Sequence, residues 1–339
     1  MRFGPAPLKE ALNAISAHSL RLGERVIKKG ARLTSDDLAA IQADGRTEVI
    51  VALNDAGDMG EDEAAERLSV ALSGGHIRRD VANTGRSNLF ADTAGVLRVN
   101  ADAINRLNAV DEAVTFATLP DYRAVERGEM IGTVKIIPFA VPETVIGQAL
   151  DVAGRVPLIE VKPFHKLKVA AISTLLPGLK PSVINKTLAV LEGRLAPAAS
   201  TVDFDLRVPH DANDVAQSIK AAIADGADLV VVFGASAITD RRDVFPAAIE
   251  LAGGRIEHFG MPVDPGNLML VGEVEGRTVL GAPGCARSPK ENGFDWVLQR
   301  IMAGIPVKRA DLTGLGVGGL LMEIVQRGHP RDPHAGPQD

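Results

Sequence analysis

The sequence predicts an α/β protein whose second half is a three-layer α-β-α domain with a mostly parallel sheet, preceded by a mixed α/β N-terminal region. Three observations carry this. The unbroken apolar run from Leu229 to Phe233, rich in valine, reads as a strand buried on both faces of a parallel sheet. From 166 to 305, strand-like runs alternate with helical periodicity in the order β-α-β-α-β-α-β-β-α. The chain is 339 residues long, 46% hydrophobic and 24% charged, enough for two or three domains with cores of their own. The expected division is a mixed region over 1–160, the α/β domain over 161–327 and a flexible tail over 328–339.

In the mixed region, Leu8, Leu12, Ile15, Leu20 and Leu22 suggest a helix ending near Gly23, followed by a short strand at Arg25–Ile27. Thr34 or Ser35 ahead of Asp36 and Asp37 reads as an N-cap with an acidic first turn, starting a helix that runs to Ala43. Gly45 closes that helix, and Glu48 to Leu53 is a strand. The carboxylates from Asp58 to Glu63 open a helix through Leu72; a solvated, dipole-favoured helix start is preferred there over a hard-cation site. Asn83 to Phe90 reads as a polar turn, and Asp102 to Leu107 and Asp111 to Leu119 as short helices. Glu129 to Val141 is strand-like, and Pro142-Glu143 starts a helix to Gly154.

The α/β domain is more regular. Leu167 to Thr174 is a strand, 182–195 a helix and 200–208 a strand. Asp211 caps a helix over 212–224, and Gly226 leads into the Leu229–Phe233 strand. A small-residue loop, Gly234-Ala235-Ser236-Ala237, opens towards a helix from Asp243 to Leu251. The segment 260–267 is extended, a hairpin turns at Gly276, and a second small-residue loop, 281–284, precedes a helix from Arg287 to Met302. A strand that runs through such a loop into a helix is where open α/β sheets receive ligands, because the backbone can be approached closely and its N–H groups favour an anion.

Composition also excludes some functions. Aromatic residues, at 4%, are too scarce for single-strand stacking platforms, and the net charge of −6 argues against a polyanion surface. The single cysteine, Cys285, excludes an internal disulfide and multi-cysteine metal centres. No apolar run reaches membrane-spanning length, and Met1 to Pro5 lacks a secretory apolar core. The expectation is a cytoplasmic protein that engages neither nucleic acid nor membrane.

Gly234-Ala235-Ser236-Ala237 followed by Arg242-Asp243-Val244-Phe245-Pro246, the turn Pro265-Gly266-Asn267, and Gly281-Ala282-Pro283-Gly284-Cys285-Ala286-Arg287-Ser288 form one set. The set resembles the molybdopterin-binding domain shared by molybdopterin adenylyltransferase and molybdopterin molybdotransferase. The strand end Ile172-Ser173-Thr174, the helix bearing Asn185, and Ile27-Lys28-Lys29-Gly30 upstream fit the same resemblance. It covers 166–305 well, 25–55 thinly and 56–128 not at all. The departures are specific. Leu175-Leu176-Pro177 stands where that family has Gly-Asp-Glu, Val183 and Ile184 precede the helix Asn, Ala235 replaces a glycine, Cys285 an asparagine and Asn267 a lysine.

The resemblance implies a molybdopterin-binding protein of molybdenum cofactor biosynthesis with molybdotransferase-like transferase activity in prospect. Its ligand would be molybdopterin or the adenylylated form, with Mg2+ as cofactor. Phosphate contact is assigned to Gly234, Ala235, Ser236, Ala237 and Ser288, with Thr239, Pro265, Gly266, Pro283, Gly284 and Cys285 completing the cofactor-binding set. Asp243 is the first catalytic and metal-binding carboxylate and Asp240 the second; the plainer reading of Asp243 is a helix-start carboxylate. Arg241, Arg242 and Arg287 are candidate phosphate partners. Cys285 is either a thiol of lowered pKa at a helix start or a packing residue, the second being preferred. Two alternatives stand beside the leading function. One is a non-catalytic carrier or scaffold that serves a nucleotidyltransferase or a molybdoenzyme. The other is a nucleotide-processing hydrolase resembling the competence-damage-inducible family. Sites in the resembled family lie at subunit contacts, so a homo-oligomer is compatible with all three.

Overall fold

A computed structural model describes residues 1–154 and 157–321, so the expected tail at 328–339 lies outside the described residues. The chain divides into two compact units, Met1–Pro163 and a second beginning at Phe164.

The first unit is mixed α/β and holds two cores. In one, strands Arg2–Pro7 and Ile15–Ser16 flank Glu48–Leu53 antiparallel, and Ile27, Leu33, Ile41 and Val51 are buried together. In the other, an antiparallel sheet of Val114–Thr118, Met130–Ile136, Arg86–Ala91 and Ile77–Arg79 packs on helix Glu61–Leu72 through Leu68, Leu72, Leu89 and Ile131. The helix Ser35–Ala43 starts as its residues dictate: Thr34 and Asp37 form a reciprocal capping box.

Two expected helices of this unit are strands. The helix expected before Gly23 is replaced by Arg2–Pro7, a short 3-10 turn at Leu8–Glu10, and strands Ile15–Ser16 and Leu20–Leu22. Pro5 and Pro7 cannot donate within a helix, and Asn13 takes φ 62°, which breaks the helical path before Ile15. Residues 111–119 contain strand Val114–Thr118, paired with Met130–Ile136, because β-branched Val114, Thr115 and Thr118 suit a pleated surface. The polar turn expected over 83–90 is confined to its start; Arg86–Ala91 is a strand.

The second unit is one six-stranded sheet with helices. Its strands are β1 (Lys168–Leu175), β2 (Thr201–Pro209), β3 (Leu229–Phe233), β4 (Arg255–Phe259), β5 (Leu270–Val274) and β6 (Arg277–Ala282). Its helices are α1 (Pro181–Leu195), α2 (Ala212–Ala224), α3 (Val244–Leu251), α4 (Gly293–Met302) and α5 (Arg309–Thr313). The spatial order is β2-β1-β3-β6-β5-β4; β2, β1, β3 and β6 run parallel, and β5 is antiparallel to both β6 and β4. The edge strand β4 has no apolar run to announce it in the sequence.

The Leu229–Phe233 run is apolar at every position because both faces are covered. Leu229, Val231 and Phe233 pack with Leu191, Leu195 and Leu298, while Val230 and Val232 pack with Ile219, Phe245 and Ile249. Burial of each such side chain contributes about 1.5–3 kcal/mol. Helix α4 begins at Gly293, six residues later than the expected start at Arg287. Asn292 and Asp295 form the capping box that sets this start, and Pro289 disfavours helical backbone just ahead of it. Among the described residues no helix is long and apolar enough to cross a membrane.

Candidate functional site

From β1 the chain moves outward to β2, then returns to pair β3 on the other side of β1. The strand order therefore reverses at β1 and β3, and their carboxyl ends flank the crevice that open α/β sheets offer to ligands. The first turn of that crevice follows β3. A Cβ at Gly234 would lie 2.3 Å from the Ser236 carbonyl oxygen and 3.0 Å from the Phe245 ring, so the turn is too tight for any side chain there. The Ala235 N–H then donates to Thr174 Oγ1 at 2.8 Å, tying the end of β3 to the end of β1. Thr174 Oγ1 lies 2.8 Å from His210 Nδ1, and the His210 ring meets Phe245 edge-on at 6.0 Å. Sequence reasoning missed His210; only the parallel pairing of β1 with β2 brings it to Thr174. The backbone N–H groups of Ser236, Ala237 and Ile238 meet no acceptor among the described residues.

The second turn follows β6. Pro283 leads into a 3-10 turn, Gly284–Arg287, and Arg287 reaches back across the crevice. Its Nη2 donates to the Gly234 carbonyl at 2.6 Å and its Nη1 to Thr187 Oγ1 at 3.0 Å, with the guanidinium carbon 5.7 Å from the Phe233 ring centroid. Arg287 is half-buried, and that burial pulls its pKa below the ordinary value. A second arginine, Arg194 on α1, holds this turn from behind. It donates to the carbonyls of Ala286 and Ser288 at 2.7 Å each and pairs with Asp295 at 2.5 Å.

Between the two turns lies a cavity of about 230 Å³, lined by the loop 234–238, by 282–284 and Arg287, and by Leu179, Val183 and Leu268. Of the residues singled out from sequence, Gly234, Ala235, Ser236, Ala237, Pro283, Gly284 and Arg287 come together here. The others do not line it. Thr239 donates its N–H to Asp243 Oδ2 at 3.0 Å. The Pro265 carbonyl accepts the Gly293 N–H at 2.9 Å, and a Cβ at Gly266 would lie 2.8 Å from that nitrogen, so Pro265-Gly266 abuts the start of α4. Ser288 gives its carbonyl to Arg194 and its hydroxyl accepts the Lys290 N–H. Cys285 sits in the 3-10 turn rather than at an α-helix start, and burial pushes its thiol pKa up, opposite to an activated thiol.

Larger hollows exist elsewhere, but their basic groups are paired. A hollow of about 460 Å³ beside Arg98 has that side chain on Asp121 at 3.1 Å. One of about 260 Å³ beside Lys308 has its ammonium 3.6 Å from Glu257. Arg287 forms no ion pair with any described residue. That difference, rather than size, marks the crevice as the candidate site.

The donor set around this cavity does not fit magnesium, which favours one or two carboxylates beside phosphate and water oxygens. Asp243 is the N-cap of α3, its Oδ1 accepting the Val244 N–H at 2.8 Å and its Oδ2 the Thr239 N–H at 3.0 Å. Asp240 pairs with the exposed Arg242 at 2.8 Å, which holds its carboxyl below the usual range. At the end of β1 stand Leu175, Leu176 and Pro177, which offer no side-chain oxygen. Among the described residues no group of three or more His, Cys, Asp or Glu side chains is placed to hold a metal ion.

No protein-family model matches the chain, and no curated protein matches it. Solved structures similar to it include a molybdopterin biosynthesis MoeA protein from Pyrococcus horikosii, at 14% identity over 93% of this chain and 76% of that one, with a TM-score of 0.29. The molybdopterin biosynthesis enzyme MoaB from Thermus thermophilus is similar at 15% identity, over 42% of this chain and 99% of that one, with a TM-score of 0.29. A CinA protein from Thermoplasma acidophilum is similar at 19% identity, over 41% of this chain and 97% of that one, with a TM-score of 0.28.

Proposed function

We propose that the unit beginning at Phe164 is a molybdopterin-binding domain of the three-layer α-β-α kind, and that it receives the phosphate end of the pterin in the crevice between Gly234–Ile238 and Ala282–Arg287. The observation that carries this reading is an unpaired, half-buried arginine facing a cavity at the switch point of the sheet, between the two small-residue turns of the resemblance. At about 230 Å³ the cavity is smaller than the roughly 300–1,000 Å³ that encloses a whole drug-sized ligand. It suits one phosphorylated end of a molecule whose flat ring lies outside, across Leu179 and Leu268. The N–H groups of Ser236, Ala237 and Ile238 in that wall have no acceptor among the described residues.

The role we assign is binding and hand-over, not metal insertion. Metal insertion or adenylyl transfer needs carboxylates at the phosphate, and Leu175, Leu176 and Pro177 occupy one of those places while Asp243 is engaged by its own turn. A carrier of this kind would pass its ligand to a nucleotidyltransferase or a molybdoenzyme.

Titration of molybdopterin into the full chain and into Ala235→Leu tests the reading. Wild type is expected to bind, and the leucine, which fills the cavity without touching a charge, to weaken binding at least tenfold. Equal binding by both would move the site elsewhere. Absence of pterin binding together with turnover of ADP-ribose would replace this reading with the hydrolase.

A further inference from the structure

We propose that this cavity binds its anion without a divalent cation, the Arg287 guanidinium supplying the positive charge that a metal would otherwise bring. The inference rests on the phosphate-binding reading of the same cavity and adds how the ligand's charge is met.

Arg287 is fixed by two neutral acceptors, the Gly234 carbonyl and the Thr187 hydroxyl, and its remaining N–H donors have no partner among the described residues. Both acceptors lie on elements that form the cavity wall or pack beside it, so the guanidinium is oriented before any ligand arrives. A charge taken partly out of water without a counter-ion is costly. Burial lowers its pKa, and no described carboxylate pairs with it. Arg194 shows what this protein does with a structural arginine: its side chain is 9% exposed, it pairs with Asp295, and it satisfies the carbonyls of Ala286 and Ser288. Arg287 lacks that compensation and lines a cavity. An anion in the cavity would provide it.

Arginine and magnesium are also poor neighbours. A divalent cation beside the guanidinium would meet like charge in a partly desolvated place, and no described carboxylate lines the cavity to offset the repulsion. A phosphate monoester needs no metal in this setting. The guanidinium fork matches two phosphate oxygens, and unpartnered N–H groups of the 236–238 backbone can take a third. The ligand class is therefore a phosphomonoester, rather than a di- or triphosphate presented as its magnesium complex.

Inorganic phosphate is the probe. It would be titrated into the full chain, wild type, Arg287→Gln and Arg287→Lys, in EDTA and in magnesium chloride, with 31P line broadening and thermal shift as readouts. Wild type is expected to bind equally well, within about twofold, in the two buffers. R287Q should lose at least tenfold in affinity in both. R287K, which keeps the charge but not the fork, should fall between them while remaining metal-independent. If R287Q does not fold, R287K still decides: weakened binding that ignores magnesium supports the proposal. Binding that requires magnesium, binding unchanged in these variants, or no phosphate binding in either buffer overturns it. The two readings fail separately. Molybdopterin that binds only with magnesium sinks this proposal and leaves the pterin site. Phosphate that binds in EDTA to a protein blind to molybdopterin does the reverse.

Discussion

After β3 three of the charged residues are turned in on their own segment: Asp243 accepts the N–H groups of Thr239 and Val244, and Asp240 pairs with Arg242 two residues on. After β6 they reach out. Arg287 crosses to the Gly234 carbonyl and to Thr187 on α1, while Arg194 comes in from α1 to hold Ala286, Ser288 and Asp295. The difference teaches something about side-chain length. A short carboxylate at a helix start is captured by the N–H groups nearest in sequence, which it caps. A long guanidinium spans the distance between neighbouring strand ends and so can serve a site built from both. The turn that supplied the candidate catalytic carboxylates is thus mainly self-capping, and the second turn, expected only to contribute to binding, carries the arginine that has no counter-ion among the described residues.

The sharpest way to break this contrast is to remove the arginine that is compensated. Arg194→Ala leaves Asp295 nearly buried without its partner and the carbonyls of Ala286 and Ser288 unmatched. It should cost about 3–5 kcal/mol in urea unfolding. A far smaller loss would mean the turn after β6 is held by its backbone alone. Gly234→Ala comes next, since its Cβ must displace the Ser236 carbonyl or the Phe245 ring. A loss of about 1–3 kcal/mol is expected. Phosphate affinity should fall with it, and unchanged affinity would detach the cavity from this turn. The smallest effect is expected for Asp243→Ala. Loss of the α3 cap should cost about 0.5–2 kcal/mol. Phosphate affinity measured with and without magnesium should not change. A magnesium-dependent fall in affinity would restore Asp243 as a metal ligand and erase the contrast.

Some of this molecule is written in contacts between residues near in sequence, and those parts were legible. The Thr34 cap, the Asp211 cap with helix 212–224 behind it, and the both-faces-buried strand Leu229–Phe233 depend on neighbours a few positions away and on a period of apolar residues. The two small-residue turns were legible for the same reason, because Gly234 answers a steric demand from Ser236 only two residues on. Other parts depend on which strands pair. Apolar spacing before Gly23 suits a helix, yet Ile15 is drawn into pairing with Ala52 and Leu20 with Ile27. Residues 114–118 become a strand because 130–136 lies beside them. His210 reaches Thr174 only through the β1–β2 ladder. That Asp243 caps its own turn follows from neighbours within four residues, whereas whether Arg287 had a counter-ion was decided by tertiary structure. Residue type sets what a side chain can bind, but the parallel pairing of β3 with β6 sets what stands within its reach.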